Sequence, residues 1–305
     1  MEALTVLECP YPYAAWYANN TCEPPVFRSS ERHFEHRPMT DDFRACGLYA
    51  AAGVPYEVQE LRRETYPELP PHEAVPRDVS DRVCEAILAG RHVLLASGYC
   101  VYAPAAVGGM QRALGTDARI GIVWIDAHAD CVVLERKSEM RPTLVGIPLS
   151  SALGLTAETW RADACGLTQP ISPQNVLASD LRRSDDASLK TVLDAGCTVL
   201  DEATFEDGAI WEREVRTLAE RVDAIYLAID ADILRPEFVP AYFRPEPGGH
   251  TPETVVERAR AVLATGKVRA ASTFCFDFDK TGPERDVTCL NAMRVIGGVL
   301  QGWHA

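Results

Sequence analysis

"IGIVWIDAHAD", residues 120–130, is the stretch that decides the fold of this chain. Its first six residues form an apolar run interrupted only by Gly121. Such a run is typical of a strand buried between two layers of helices in a parallel sheet. The run ends in Asp126, His128 and Asp130. Because ligands collect at the carboxyl ends of parallel strands, the stretch predicts a buried strand with a functional site at its end.

Short apolar runs alternate with longer amphipathic segments along the whole chain, which is the pattern of repeated β-α-β units. The pattern predicts strands at residues 3–7, 56–60, 92–97, 120–125, 175–178, 198–200, 224–229 and 271–276. It predicts helices at residues 77–89, 105–114, 186–195, 211–221, 252–264 and 287–300. We therefore expect one α/β domain over residues 1–305, with a central, mostly parallel sheet between two helical layers (a three-layer αβα fold).

Composition and charge narrow the classes of function. The 305 residues carry a formal net charge of −14, which argues against a nucleic acid or an anionic membrane as partner, because such surfaces attract basic patches. No apolar stretch approaches the roughly 20 residues that span a bilayer, and the N-terminus does not resemble a signal peptide. The ten cysteines include no CxxC pair, so neither a zinc ribbon nor a thioredoxin-like site is indicated. We expect a cytoplasmic protein that binds a small molecule.

A second acidic string follows a second apolar run: residues 224–229 lead into Asp230 and Asp232. Residues two apart along a strand point the same way, so each string can converge on one point. A turn that caps a helix would explain one such string, but two strings place four carboxylates and His128 at the same edge of the sheet. Those carboxylates would repel one another without a cation. Oxygen ligands with one imidazole favour Mn²⁺, with Mg²⁺, Fe²⁺ or Zn²⁺ as alternatives, and a pair of such ions would activate water.

These strings resemble the motifs of the ureohydrolase superfamily, which includes arginase, agmatinase and formiminoglutamase. In that family DAHxD and SxDxDxxDP strings supply most ligands of a dimanganese centre, and this chain has DAHAD at 126–130 and AIDADILRP at 228–236. PGGHT at 247–251 resembles the family's PGGLT. The resemblance runs from about residue 90 to the end. It implies the arginase-like fold, a binuclear manganese centre, hydrolysis of a C–N bond at an amidino or formimino carbon, and assembly as a homo-oligomer.

The resemblance also implies a role for each ligand. Asp126 and Asp230 would bridge the two ions, His128 and Asp232 would complete one site, and Asp130 would belong to the other.

The chain departs from the family at the first ligand. The family's GGDHS histidine corresponds to Tyr99 in residues 96–100, ASGYC. A phenol with an ordinary pKa near 10 is a poor ligand at neutral pH, so the ion beside Asp130 is expected to bind weakly or to be missing, which leaves one ion. Cys100 is either a softer replacement ligand or a bystander.

A second histidine is absent as well. Where the family has HGxP, residues 145–148 read VGIP, and Val145 cannot transfer a proton to the leaving amine. His250 is the nearest substitute, with a surface histidine beside a turn as the alternative reading. Asp277, in the string FDFD at 276–279, is implied to hold the cationic group of the substrate; a carboxylate satisfied by solvent is its alternative. Together with Asp130, these two residues are the catalytic candidates.

Other departures concern the substrate. Val132 replaces an asparagine that binds the amino-acid head group in arginases, and 241–245 reads AYFRP in place of a GTGTP-like stretch. Plain arginine in its usual pose is therefore not expected. Tyr242, Phe243 and Arg244 indicate either an aromatic, positively charged pocket for a substrate with an anionic group or simple packing contacts. The long polar stretch 19–42 and the charged turn 135–141 are predicted to be loops near the site.

Three hypotheses follow. The first is a divergent manganese-dependent hydrolase of a guanidino, amidino or formimino compound. The second is a single-metal amidohydrolase resembling histone deacetylases. The third is a non-catalytic homologue of the ureohydrolases.

Overall fold

The computed structural model describes residues 3–9, 14–19, 26–31, 37–134, 144–278 and 280–303. The strands in these residues are β1 (Ala3–Glu8), β2 (Ala14–Asn19), β3 (Val26–Glu31), β4 (Tyr56–Glu60), β5 (Arg91–Ala96), β6 (Ile120–Asp126), β7 (Val176–Asp180), β8 (Thr198–Leu200), β9 (Ala224–Asp230) and β10 (Val268–Phe274). Eight of them form one parallel sheet in the order β4-β1-β5-β10-β9-β6-β7-β8. β2 and β3 pair with each other as an antiparallel hairpin.

The helices in the described residues are α1 (Met39–Ala45), α2 (Pro71–Leu88), α3 (Ala103–Leu114), α4 (Pro148–Ala152), α5 (Asp186–Ala195), α6 (Glu202–Glu206), α7 (Gly208–Arg221), α8 (Pro252–Leu263) and α9 (Pro283–Trp303). They cover both faces of the sheet, so the predicted three-layer αβα fold with a parallel sheet is confirmed. One layer contains the contacting pair α2 and α3, and in another group α7 packs on α8 and α8 on α9. No helix in the described ranges is long and apolar enough to cross a membrane.

The central strands are buried along their whole length, as their continuous apolar runs predict. Every residue of β6 and β9 is buried, including the aspartates with which they end. The two strands are neighbours, with Ile125 opposite Ile229, so their ends lie side by side. On the other flank of β9, Phe274 of β10 pairs with Asp230, and on the other flank of β6, Asp126 pairs with Asp180. The carboxyl ends of β10, β9, β6 and β7 therefore form one continuous edge.

Two predictions about local structure were wrong. β10 lies at Val268–Phe274 rather than at 271–276, because the backbone leaves the sheet before Cys275, which adopts a left-handed φ of 62°. The stretch 19–42, predicted to be a loop, contains β3 and the start of α1. The other predicted loop, 135–141, lies outside the described residues.

Candidate metal centre

A cavity of about 290 Å³ opens where β5, β6 and β9 end. All five predicted ligands line it: Asp126, His128, Asp130, Asp230 and Asp232. β6 supplies Asp126 as its last residue, and the DAHAD string continues from it into the loop. β9 supplies Asp230 as its last residue, and a short 3₁₀ turn that contains Asp232 follows. Side chains 104 positions apart in sequence therefore share one wall because their strands are adjacent in the sheet.

Asp126, His128 and Asp232 form one compact group of donors, whose ligand atoms all lie within 4.8 Å of one another. The Nδ1 atom of His128 is 2.8 Å from Asp232 Oδ2 and 3.7 Å from Asp126 Oδ1. The backbone N–H of His128 donates to Asp126 Oδ1 at 2.6 Å. Nδ1 is therefore the imidazole nitrogen that faces the carboxylates.

The pKa values of the buried aspartates and of His128 are shifted away from their ordinary values. Burial, reinforced by the charge of Asp232, raises the pKa values of Asp126 and Asp230 well above the ordinary aspartate range. Burial also opposes protonation of His128, but hydrogen bonds to Asp126 and Asp232 outweigh it and raise the pKa of His128 to about 12. Burial disfavours the charge of Asp232 too, yet contacts from His128, Ala127 and Tyr242 hold its pKa below the ordinary value.

One carboxylate oxygen is left over. Asp126 Oδ2 is buried and has no hydrogen-bond partner among the described residues. A buried polar atom without a partner is costly, and a metal ion is one of the groups that can satisfy it. The surplus of buried carboxylates and this unpaired oxygen fit divalent cations bound among these side chains.

Asp130 comes from the loop beyond β6 rather than from a strand. It adopts a left-handed φ of 42°, unusual for a residue other than glycine, and its carbonyl accepts from the N–H of Leu149 at 3.0 Å. Burial raises the pKa of its carboxyl, which hydrogen-bonds with the thiol of Cys100. The loop conformation thus turns Asp130 toward the end of β5.

Tyr99 and Cys100 are the two residues that could replace the family's GGDHS histidine. Of the two, Cys100 has its donor atom close to the carboxylates. Its Sγ atom lies within 4.8 Å of both a carboxylate oxygen of Asp230 and the Sγ atom of Cys275. The ring of Tyr99 also borders the cavity and makes an edge-on contact with Phe278, with ring centroids 6.5 Å apart.

Three residues around the cavity hold the ligands in place, and two of them, Glu246 and Arg183, were not predicted from the sequence. Glu246 Oε1 lies 3.5 Å from His128 Nε2, the ring nitrogen opposite the one that faces the carboxylates. Arg183 Nε donates to Glu246 Oε2 at 2.7 Å and borders the cavity. The hydroxyl of Tyr242, predicted as a pocket residue, donates to Asp232 Oδ2 at 2.8 Å. Glu246 directly precedes the PGGHT string, and this position was its only sequence signal.

The two other catalytic candidates lie outside the cavity lining. Asp277 is 2% exposed, and its Oδ2 accepts from the N–H of Met39 at 2.7 Å, at the start of α1. His250 is fully buried, with Nδ1 2.6 Å from Glu206 Oε1 and Nε2 3.3 Å from Asp180 Oδ2. The solvent-exposed alternatives for both residues are therefore wrong. Their proposed catalytic roles stay predictions.

Comparison with known sequences assigns the chain to a family. The sequence profile described as "Arginase family" matches residues 22–295, about nine-tenths of the chain. The chain belongs to the arginase family. Arginase of Bacillus caldovelox is 25% identical over 184 residues, 59% of this chain and 60% of that protein. Arginase of Eremothecium gossypii is 26% identical over 197 residues, 63% of this chain and 48% of that protein. The chain thus spans about half to three-fifths of the curated arginases that it matches.

Solved structures extend the likeness to the whole fold. The Bacillus caldovelox arginase structure superposes with a TM-score of 0.76 at 19% identity and covers 98% of both chains. The formimidoylglutamase structure from Bacillus subtilis superposes with a TM-score of 0.69 at 13% identity, over 99% of this chain and 87% of that one. At these identities the comparison shows the arginase fold, and the predicted membership of the ureohydrolase superfamily is confirmed.

Proposed function

We propose that this chain is a metal-dependent hydrolase that cleaves a C–N bond in a guanidino, amidino or formimino compound. The observation that carries the proposal is the convergence of five buried or half-buried carboxylate and imidazole groups on one cavity of about 290 Å³. Membership of the arginase family and the family's hydrolase fold support the same class of reaction. A cavity of this size suits a small-molecule substrate.

Two divalent ions would share Asp126 and Asp230, with His128 and Asp232 on one side and Asp130 on the other. The side with the imidazole and three carboxylates suits Mn²⁺. When bound, such ions supply Lewis-acid chemistry, which makes water nucleophilic at neutral pH and polarises the carbon–nitrogen group that is attacked.

The chain's own contribution is to keep these ligands oriented. Asp232 is held by both oxygens, since Oδ1 accepts from the N–H of Ala127 at 3.0 Å and Oδ2 from Tyr242 at 2.8 Å. Glu246 stands next to the Nε2 atom of His128 and favours the ring orientation in which Nδ1 points at the metal ligands. A ligand set that is oriented beforehand loses less conformational freedom when ions and substrate bind.

Arg183, which also pairs with Glu246, places a cation at the cavity and supports a substrate with an anionic group. Arg183 is the lining cation apart from His128 among the described residues, and its side chain is 46% exposed. Val132 and Val145 add an apolar wall. We therefore propose a guanidino, amidino or formimino compound with a short hydrocarbon segment and a carboxylate. Arg183 takes the role that the sequence suggested for Arg244, which is exposed and does not line the cavity.

The test is a measurement of metal content combined with turnover. Protein reconstituted with divalent cations should hold about two ions per chain and release urea, ammonia or formamide from members of a panel of such compounds. Asp126→Asn should lower turnover more than about a hundredfold, since even changes behind the ligands cost 10- to 100-fold. Asp117→Asn, at an exposed aspartate, is the matched control and should leave turnover unchanged. Absence of both bound metal and turnover would overturn the proposal.

The compact group of Asp126, His128 and Asp232 also keeps a second function open, because one carboxylate–imidazole–carboxylate set suffices for a single Zn²⁺. One ion per chain, together with hydrolysis of acylated amines instead of amidino compounds, would favour that reading.

A further inference from the structure

Three buried donor groups lie together on the Asp130 side of the centre. The Sγ atoms of Cys100 and Cys275 and a carboxylate oxygen of Asp230 all lie within 4.8 Å of one another. The exposed fractions of these three residues are 5%, 1% and 4%. Cys100 also hydrogen-bonds with Asp130, so its sulfur lies near two carboxylates, those of Asp130 and Asp230.

The fold brings the two cysteines together from opposite parts of the chain. β5 and β10 are neighbours in the sheet, with Ala96 opposite Thr273. Cys100 opens the 3₁₀ turn after β5, and Cys275 is the first residue after β10. The N–H of Cys275 donates to the carbonyl of Gly98 at 2.9 Å, which ties the two strand ends to each other. The two thiols are therefore close to each other because β5 and β10 are neighbours in the sheet.

Close packing keeps Cys100 in this place. A Cβ atom at Gly98 would lie 2.9 Å from Cys9 Cβ and 3.3 Å from the ring of Tyr102, so the turn that leads to Cys100 packs too closely there for any residue but glycine. The thiol of Cys100 thus follows a closely packed turn.

Sulfur donors change which ions a site prefers. Thiolates select Zn²⁺, Fe²⁺ and similar ions, whereas sites made of oxygen and a single imidazole suit Mn²⁺. We propose that Cys100, with Cys275 beside it, supplies sulfur to the ion held on the Asp130 side of the centre, so that this side takes a thiophilic divalent cation such as Zn²⁺ or Co²⁺ instead of Mn²⁺. On binding, each ligating thiol gives its proton to solvent as the metal–sulfur bond forms. The proposal rests on the metal centre proposed above and specifies its composition.

The unpaired oxygen of Asp126 is an independent sign that the centre holds a cation. Asp126 lines the same cavity wall as Cys100 and Asp230, and its Oδ2 is buried without a partner in the described part of the chain. The centre is therefore mixed: one side has an imidazole and carboxylates, and the other has a thiol pair and carboxylates.

The experiment is a titration of reduced, metal-free full-length protein with Co²⁺, followed by absorption. Thiolate bound to Co²⁺ gives a charge-transfer band in the near ultraviolet, and this readout does not depend on turnover. We expect a band that saturates at one equivalent per chain. Cys100→Ser, which keeps the size and the hydrogen-bonding capacity of the side chain, should remove most of the band and weaken Zn²⁺ binding at least tenfold. Cys165→Ser, at a buried thiol that does not line the cavity, is the matched control and should keep the full band.

Three results would overturn the proposal. They are bound Co²⁺ without a near-ultraviolet band, a band that survives in the Cys100→Ser and Cys275→Ser double variant, and a disulfide between the two cysteines that persists in reductant. None of these touches the proposed hydrolase function, which fails only if turnover and metal binding are both missing. Cys100→His supplies an imidazole in place of sulfur, and it should shift the preference of this side from Zn²⁺ toward Mn²⁺.

Discussion

Removal of the Tyr242 hydroxyl should weaken metal binding on the His128 side of the centre. The hydroxyl donates to Asp232 Oδ2 at 2.8 Å, the same oxygen that lies 2.8 Å from His128 Nδ1. The Tyr242 ring packs edge-on against Phe278 with centroids 4.8 Å apart, and Tyr242→Phe keeps that packing. The substitution therefore removes the hydrogen bond to Asp232 Oδ2 and a longer one, at 3.5 Å, to Asp230 Oδ1.

Two independent estimates give the size of the effect. A hydrogen bond to a charged group contributes about 1.5–3 kcal/mol. Loss of a partner behind a metal ligand typically costs 10- to 100-fold in affinity, which is about 1.4–2.7 kcal/mol. The two ranges overlap, so we expect the dissociation constant for Mn²⁺, measured by isothermal titration calorimetry, to rise 10- to 100-fold in Tyr242→Phe.

The matched control is Tyr226→Phe. Tyr226 is fully buried, and its hydroxyl lies 2.7 Å from Ser272 Oγ, a neutral partner that does not line the cavity. This variant should lose about 1 kcal/mol of folding stability but bind Mn²⁺ as the wild type does. The reasoning is refuted if Tyr242→Phe binds Mn²⁺ as tightly as the wild type, or if both variants lose affinity equally.

Two further predictions concern the substrate and the stability of the fold. Arg183→Met should raise KM about tenfold or more for carboxylate-bearing substrates and leave KM for their neutral analogues unchanged; equal effects on both would rule out an anion-binding role. Burial lowers the pKa of His72 from its ordinary value of 6.5 to about 4. As the pH falls, His72 is therefore protonated in the unfolded chain before it is protonated in the folded one. The contribution of His72 to the free energy of unfolding is thus complete above pH 6.5 and is lost as the pH drops toward 4. The loss amounts to about 3 kcal/mol. In urea denaturation, the free energy of unfolding of the wild type minus that of His72→Leu should fall by that amount between pH 7 and pH 4. A difference that does not change with pH would contradict the assignment.

The central strands were predictable because parallel strands covered on both faces need apolar side chains at every position. The central strands β6 and β9 exceed the predicted ranges by a single aspartate, and the edge strands β4 and β8 also occupy the predicted residues. The same rule failed at β10, since apolarity reports burial and not backbone direction. Cys275 and Phe276 are buried and continue the apolar run, but the N–H of Cys275 bonds to Gly98 instead of to a neighbouring strand.

The metal ligands were predictable for a local reason, and their supporting residues were not. Each ligand lies at the end of an apolar strand or at most four residues beyond it. Two short sequence strings therefore contain all five predicted ligands. Glu246 instead approaches His128 from a distant loop, and Arg183 bonds to Glu246 across 63 positions in sequence. Cys100 and Cys275 meet only because β10 lies between β5 and β9, an order that no local pattern encodes.

This division between strands explains how the centre could diverge on one side alone. Asp126 and Asp230 end β6 and β9, His128 and Asp232 lie two residues further on, and the two adjacent strands share a continuous register. The Asp130 side depends in addition on the turns after β5 and β10, where Cys100 and Cys275 stand. Substitutions in those two turns alter the donors of one ion without disturbing the strands that hold the other. A fold of this kind can therefore keep the ligands of one ion while the donors of the other ion change, since the donors are strand-end residues and not part of the fold's framework.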